Sequence, residues 1–196
     1  MRVLSLLCLL PIVASAGEFN KVLKIGDAAP AWKDLPGTDG KKHSLVDHST
    51  KELVVVCFTC NSCACSEEYE DRIIDFAKKY HDKVALVAIN VNTIPEDRLD
   101  AMKKKADKKK FPFEYLYDET QKIAKDYGAT YTPEFFVLNR ERKIAYMGAM
   151  DDKTKVEDVK ERFLESAVDT ILKGEKPAKA ETNARGCLIR WKRVRD

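Results

Sequence analysis

The spacing of apolar residues changes several times along the chain, and each change predicts an element. Leu53-Val54-Val55-Val56-Cys57-Phe58 is an unbroken apolar, β-branched run, the pattern of a strand buried on both faces. From Ser66 the period lengthens. Tyr69, Ile73, Phe76, Ala77 and Tyr80 recur every three or four residues among charges, which predicts an amphipathic helix. Val84 to Ile89 is a second buried strand, and Pro95 opens a second helix with Leu99, Met102 and Ala106 inward. Phe113 to Tyr117 is a short strand. Asp118 with Gln121 resembles a capping box for a third helix, closed by Gly128. Glu134 to Leu138 and Lys143 to Met147 are strands joined by a turn at 139–142. Thr154 with Glu157 predicts the cap of a long final helix, with Val156, Val159, Phe163, Ala167 and Ile171 inward and Gly174 at its end. Near the start, Asp39-Gly40 predicts the turn of a small hairpin.

The order β-α-β-α-β-α-β-β-α implies parallel crossovers followed by one antiparallel hairpin. The expected fold class is α/β, a mixed central sheet with helices on both faces. With no repeat and no long linker, residues 17–175 are expected to form one domain. Residues 176–196 are read as a basic C-terminal tail whose apolar side packs on that domain.

Composition changes this picture little. Of 196 residues, 44% are hydrophobic, enough for a real core, and 35 basic residues nearly balance 32 acidic ones. That balance argues against a nucleic-acid partner, which needs a basic excess. The lysine-rich stretch 103–110 reads as a solvated helix face.

The first sixteen residues read as an address. A basic Met1-Arg2 precedes an apolar stretch from Val3 to Val13, and Ala14-Ser15-Ala16 has the small-x-small pattern of a cleavage site. The stretch is shorter than the roughly 20 residues a bilayer span needs, so no stable membrane insertion is expected. A secreted or periplasmic protein follows, in a compartment where disulfides persist. Of six cysteines, Cys8 leaves with this segment. The remaining Cys57, Cys60, Cys63, Cys65 and Cys187 are odd in number, so they cannot all pair within one chain.

Cys60-Asn61-Ser62-Cys63 lies between a buried strand and an amphipathic helix. A redox cysteine reacts as its thiolate, and a free pKa of about 8.5 leaves little of it at neutral pH. Unpaired amides and the dipole at a helix start favour the charged form. Cys60 is therefore expected to be exposed, acidic and nucleophilic, with Cys63 one turn on as the resolving thiol. If both are helical, Cys65 lies about 200° from Cys63 and points away from it. Cys57 reads as a core hydrophobe, Cys65 as a packed thiol or half of a second disulfide, and Cys187 as a partner for Cys65 or Cys57.

These residues carry a family resemblance. The strand, Thr59-Cys60-Asn61-Ser62-Cys63, the helix, and Tyr131-Thr132-Pro133-Glu134 before a later strand resemble thioredoxin-fold proteins. Tyr69-Glu70-Asp71-Arg72, Ala88-Ile89-Asn90, Tyr115 to Gln121 and Gly186 to Trp191 look like the bacterial secreted redoxins, the thioredoxin-like branch of the thiol-specific antioxidant superfamily. The resemblance implies a thioredoxin-like fold and a thiol–disulfide oxidoreductase with no bound cofactor and no metal. It implies cysteine-containing protein substrates, such as cytochrome precursors or misoxidised clients, and a redox donor; a monomer is expected. It further implies that Pro133 is cis and faces Cys60, leaving the Thr132 backbone free to pair with an extended substrate. Only about 5–6% of X–Pro bonds are cis, so sequence alone would not say this.

The chain departs from the family at several places. Ala64 replaces the usual proline after the second cysteine, Ser62 an often-present histidine, Thr59 a tryptophan, and Val54 a buried acid. Glu134 is then the nearest carboxylate for proton handling, against the plainer reading of a solvated strand-end glutamate. Two rival functions fit the cysteine cluster less well. A thiol peroxidase would carry Pro-x-x-x-Thr-x-x-Cys, but Val54, Cys57, Cys60 and Ser62 stand three residues before the clustered cysteines. A metal-delivery protein of this fold would have a three-residue gap between its cysteines and a histidine, and the gap here is two.

Overall fold

The computed structural model describes residues 17–193. The expected leader lies outside the described residues. A small antiparallel hairpin comes first, β1 (Leu35–Pro36) with β2 (Lys42–His43). Then follow β3 (Leu53–Phe58), α1 (Ala64–Tyr80), β4 (Val84–Asn90), α2 (Leu99–Lys109), β5 (Glu114–Tyr117) and α3 (Lys122–Tyr127). The second half contains β6 (Tyr131–Thr132), β7 (Glu134–Leu138), β8 (Ile144–Gly148), α4 (Phe163–Leu172) and β9 (Cys187–Leu188).

Five strands form the central sheet in the order β5-β4-β3-β7-β8. β4 runs parallel to both β3 and β5, while β7 is antiparallel to β3 and β8. The apolar run of β3 explains its central place: all six residues are buried. Successive side chains alternate between faces, so β3 feeds two cores. Val55 and Cys57 join Tyr69, Ile73 and Phe76 of α1, Met102 of α2, and Leu164 and Val168 of α4. Val54, Val56 and Phe58 join Ile123 and Tyr127 of α3, with Trp32 and Leu45 from the entry segment. The mixed sheet with helices on both faces is thus as the pattern predicts.

Helix boundaries differ from the expected ones in three places. Pro95 opens a 3₁₀ turn, and α2 starts only at Leu99. Gln121 is left-handed and makes no side-chain cap; Asp118 instead accepts from the amides of Thr120 and Ile123. The final helix begins at Phe163, not near Thr154, because Asp152 Oδ1 holds the amides of Lys160 and Glu161 in a loop at 2.9 and 3.0 Å. Val156, given an inner face by its spacing, sits in an exposed 3₁₀ turn.

The last described segment returns to the body of the molecule. β9 pairs antiparallel with β6, matching Thr132 to Cys187 and Tyr131 to Leu188. Ile189 is buried in the second core, whereas Leu188 and Trp191 point outward. Among the described residues no helix is long and apolar enough to cross a membrane.

Candidate active site

The carboxyl end of β3 delivers the cysteine cluster. The Thr59 amide donates to the Ile89 carbonyl at 3.1 Å, extending β3 by one step before the chain turns. Cys63 is the N-cap of the 17-residue α1, with an extended backbone at φ −104° and ψ 118°, and its Sγ accepts the Ser66 amide at 3.4 Å. The helix start therefore acts on Cys63 and not, as expected, on Cys60.

Cys60 differs from expectation in exposure as well. Only 3% of it is accessible. Its Sγ lies 3.4 Å from Thr132 Oγ1 and 4.0 Å from Ser66 Oγ. Burial pushes the Cys60 thiol above its ordinary pKa; contact with Thr132 opposes this and the charge of Asp97 adds to it. The expected acidification is thus reversed in this form, because desolvation of a thiolate outweighs its two hydroxyl contacts.

Asp97 is a site residue that sequence reasoning missed. Its fully buried carboxylate accepts the amides of Asn61 and Ser62 at 2.6 and 3.0 Å, the Ser62 hydroxyl at 2.6 Å, and Asn92 Nδ2 at 3.1 Å. Tyr115 OH donates to Asn61 Oδ1 at 3.0 Å, and Lys105 Nζ to the Asn61 carbonyl at 3.2 Å. The two residues between the cysteines are therefore fixed from below. In Ile94-Pro95-Glu96-Asp97 the acid reads as part of a helix start, and no pattern in the sequence points it at a distant loop.

Facing the cysteines is the Thr132-Pro133 bond, which is cis. Glu134 is buried rather than solvated, and its Oε2 accepts the amides of Thr130 and Tyr131 at 2.8 and 2.9 Å. Burial raises its pKa, and the two amides oppose the shift. Glu134 thus braces the loop leading to Pro133.

The described structure contains one disulfide, between Cys63 and Cys187, with Cα atoms 6.3 Å apart and a sequence separation of 124. Cys187 was expected to pair with Cys65 or Cys57. Cys57 is excluded because its side chain enters the core beneath the sheet, where burial drives its thiol strongly upward in pKa. Cys63 takes the bond because β9 runs beside Thr132, and Cys63 Sγ lies 3.4 Å from the Thr132 carbonyl. Cys65, half-buried, does not point away: the sulfurs of Cys63, Cys65 and Cys187 all lie within 4.8 Å of one another. The 200° argument fails because Cys63 is not helical.

The Thr132 backbone, expected to be free for a substrate, is occupied by this tail. Gly186 makes the approach possible, since a Cβ there would sit 2.2 Å from the Thr132 carbonyl oxygen. Farther on, Gln121 donates to the carbonyls of Val91 and Arg190 at 2.8 and 2.9 Å and accepts the Lys192 amide at 2.7 Å.

Residues 24–162 match the model of the family described as Redoxin. Among solved structures, an uncharacterized conserved protein from Geobacillus kaustophilus is 32% identical, with a TM-score of 0.83 over 90% of this chain and 96% of that one. A hypothetical protein from Sinorhizobium meliloti is 30% identical, with a TM-score of 0.81 over 88% and 97%. A structure assigned as a thiol:disulfide interchange protein DsbE from Chlorobium tepidum is 25% identical, with a TM-score of 0.55 over 64% and 84%. Among curated proteins no match is found.

Proposed function

We propose that this chain, which belongs to the Redoxin family and has a thiol redox function, is a thiol–disulfide oxidoreductase that reacts through Cys60 and Cys63. One observation carries the reading. Both sulfurs converge on the residue before the cis-proline, Cys60 Sγ at 3.4 Å from Thr132 Oγ1 and Cys63 Sγ at 3.4 Å from the Thr132 carbonyl. The Thr132 backbone itself is held by β9, so a client reaches the two sulfurs beside that pairing, and a client disulfide brought to this residue meets both. Once the Cys63–Cys187 bond has been opened, Cys60 attacks a client disulfide and expels one client sulfur as a thiolate; Cys63 then attacks Cys60 of the mixed disulfide and expels the other, leaving the client reduced and Cys60–Cys63 oxidised. Thr132 and Pro133 shape the groove.

The reading includes a location outside the cytoplasm. The cleavable leader read in the sequence supports it, as does a disulfide joining the start of α1 to the far end of the chain. Clients are cysteine-containing proteins, and a separate redox donor restores the dithiol. Reduction of insulin disulfides under dithiothreitol tests the activity. Catalysed turnover that is abolished by Cys60→Ser, with Cys63→Ser trapping mixed disulfides, is the expected result. Full turnover in Cys60→Ser overturns it.

A metal-delivery reading has one observation in its favour, the three sulfurs within 4.8 Å. Two of them are consumed by a disulfide here, so such a site would form only after reduction. Metal content of protein purified under reductant separates the two readings.

A further inference from the structure

The Cys63–Cys187 bond leaves a puzzle, because it occupies a cysteine that the exchange reaction requires. Of the three free thiols, Cys57 and Cys60 are buried and Cys65 is half-buried. Cys65 is also the one whose sulfur lies within 4.8 Å of both bonded sulfurs. We propose that Cys65 is an internal exchange thiol that moves the disulfide from Cys63–Cys187 to Cys65–Cys187 and returns Cys63 to Cys60.

The step balances within the chain. Cys65 loses its proton to solvent, and its thiolate attacks Cys187 Sγ. The Sγ–Sγ bond to Cys63 breaks as the bond to Cys65 forms, and Cys63 departs as a thiolate that solvent can protonate. One disulfide is exchanged for another, so no oxidant or reductant is consumed.

The direction of attack follows from the leaving group. A sulfur that better carries negative charge leaves faster. Cys63 caps a 17-residue helix and already accepts the Ser66 amide, so charge arriving there meets an oriented donor and the positive end of a dipole. Attack on Cys187, expelling Cys63, uses that stabilisation. Cys60 is the poorer attacker, being 3% exposed and held as the neutral thiol by burial.

Tail docking need not be lost. β9 stays paired with β6, Ile189 stays in the core, and Gln121 keeps Arg190 and Lys192, while the anchor shifts by two residues within the same turn. The exchange rests on the sulfur geometry; its use, giving back a Cys60/Cys63 dithiol, rests on the functional reading above.

The test uses the full mature chain carrying Cys60→Ser, so that Cys60 cannot intervene. Oxidised protein is held at pH 8, quenched with acid at intervals, alkylated and mapped. Trypsin leaves 52–72 in one peptide, since neither lysine nor arginine stands between Lys51 and Arg72. That peptide also holds the free Cys57, so fragment spectra must show whether the second alkyl group sits on Cys63 or on Cys65. Both species are expected, Cys187 linked to Cys63 and Cys187 linked to Cys65. Alkylation of Cys65 and never of Cys63, beside the Cys57 that is alkylated in either case, at every time overturns the proposal. In a second variant, Cys63→Ser, oxidation should yield Cys65–Cys187 with Cys60 free; free thiols at both Cys65 and Cys187 in folded protein also overturn it. Insulin turnover by the unaltered chain is a separate readout: a chain that exchanges internally but reduces no insulin keeps this proposal and removes the functional reading.

Discussion

Cys187 faces Thr132 as its antiparallel strand partner, and it does so on the residue that precedes the cis-proline. The chain's own tail thus lies where an extended client is expected, its cysteine bonded to one of the two reacting sulfurs. This arrangement joins stability to redox state. A link closing a loop of this length stabilises by about 2–5 kcal/mol, mainly by restricting the unfolded chain. Urea unfolding with and without dithiothreitol should show a clear loss of midpoint on reduction, and Cys187→Ser should sit near the reduced value in both conditions. A wild-type midpoint indifferent to reductant would mean that the bond does no work in the fold.

Gly186→Ala should undock the tail. The new Cβ would meet the Thr132 carbonyl at 2.2 Å, and that obstacle is backbone. β9 must then move off β6, carrying Cys187 away from Cys63. Mapping of the non-reduced variant should find Cys187 alkylated where the wild type protects it. Continued protection would show that the backbone at 132 can retreat.

Two substitutions should move the Cys60 titration in opposite directions. Thr132→Val removes the hydroxyl beside the sulfur, so the thiol pKa rises further; a loss of about 1 kcal/mol corresponds to roughly fivefold less thiolate at pH 7. Site-resolved alkylation against pH reads this as an upward shift of the inflection. An unchanged inflection would show that the hydroxyl does not solvate the thiolate.

Asp97→Asn removes a buried negative charge near the same sulfur, and the inflection should fall. The variant should also lose about 1–3 kcal/mol of stability, because an amide offers a donor where Asn92 and the Cys60–Cys63 loop supply donors. A lowered inflection with unaltered folding would mean that Asp97 acts through charge alone.

How much of this could be read from the sequence depends on what kind of signal each feature leaves. β3 was plain because a strand buried on both faces has nowhere to put a polar residue. α1 was plain because one face meets water for 17 residues. The spacing of Val156 and Val159 imitated a helix, but side-chain bonds from Asp152 took the amides that a helix needed. The pairing of Cys187 was hidden because β6 and β9 are two-residue strands, too short to show a period. The site's charge balance was hidden for another reason: it depends on burial of Cys60 and on Asp97, which come together only when β4 and the loop after it lie beside β3.

Glu134 gives a pH dependence whose sign can be worked out. Burial raises its folded pKa above the ordinary 4.5. The native state therefore holds this proton more tightly than the unfolded chain, and stability falls as pH climbs from about 4.5 through the folded value. Both amides it receives converge on a single oxygen, Oε2. A glutamine carbonyl can take that position without losing either bond, so Glu134→Gln should keep the loop before Pro133 while removing the buried charge. Urea midpoints of the two proteins should nearly coincide at pH 4 and separate as pH rises, the variant becoming the more stable. Other acids, including Asp39 and Asp152 with lowered pKa values, titrate equally in both proteins and cancel in the difference. A difference that is flat with pH, or one in which the variant loses ground above pH 5, would show that the Glu134 charge is compensated by its amides.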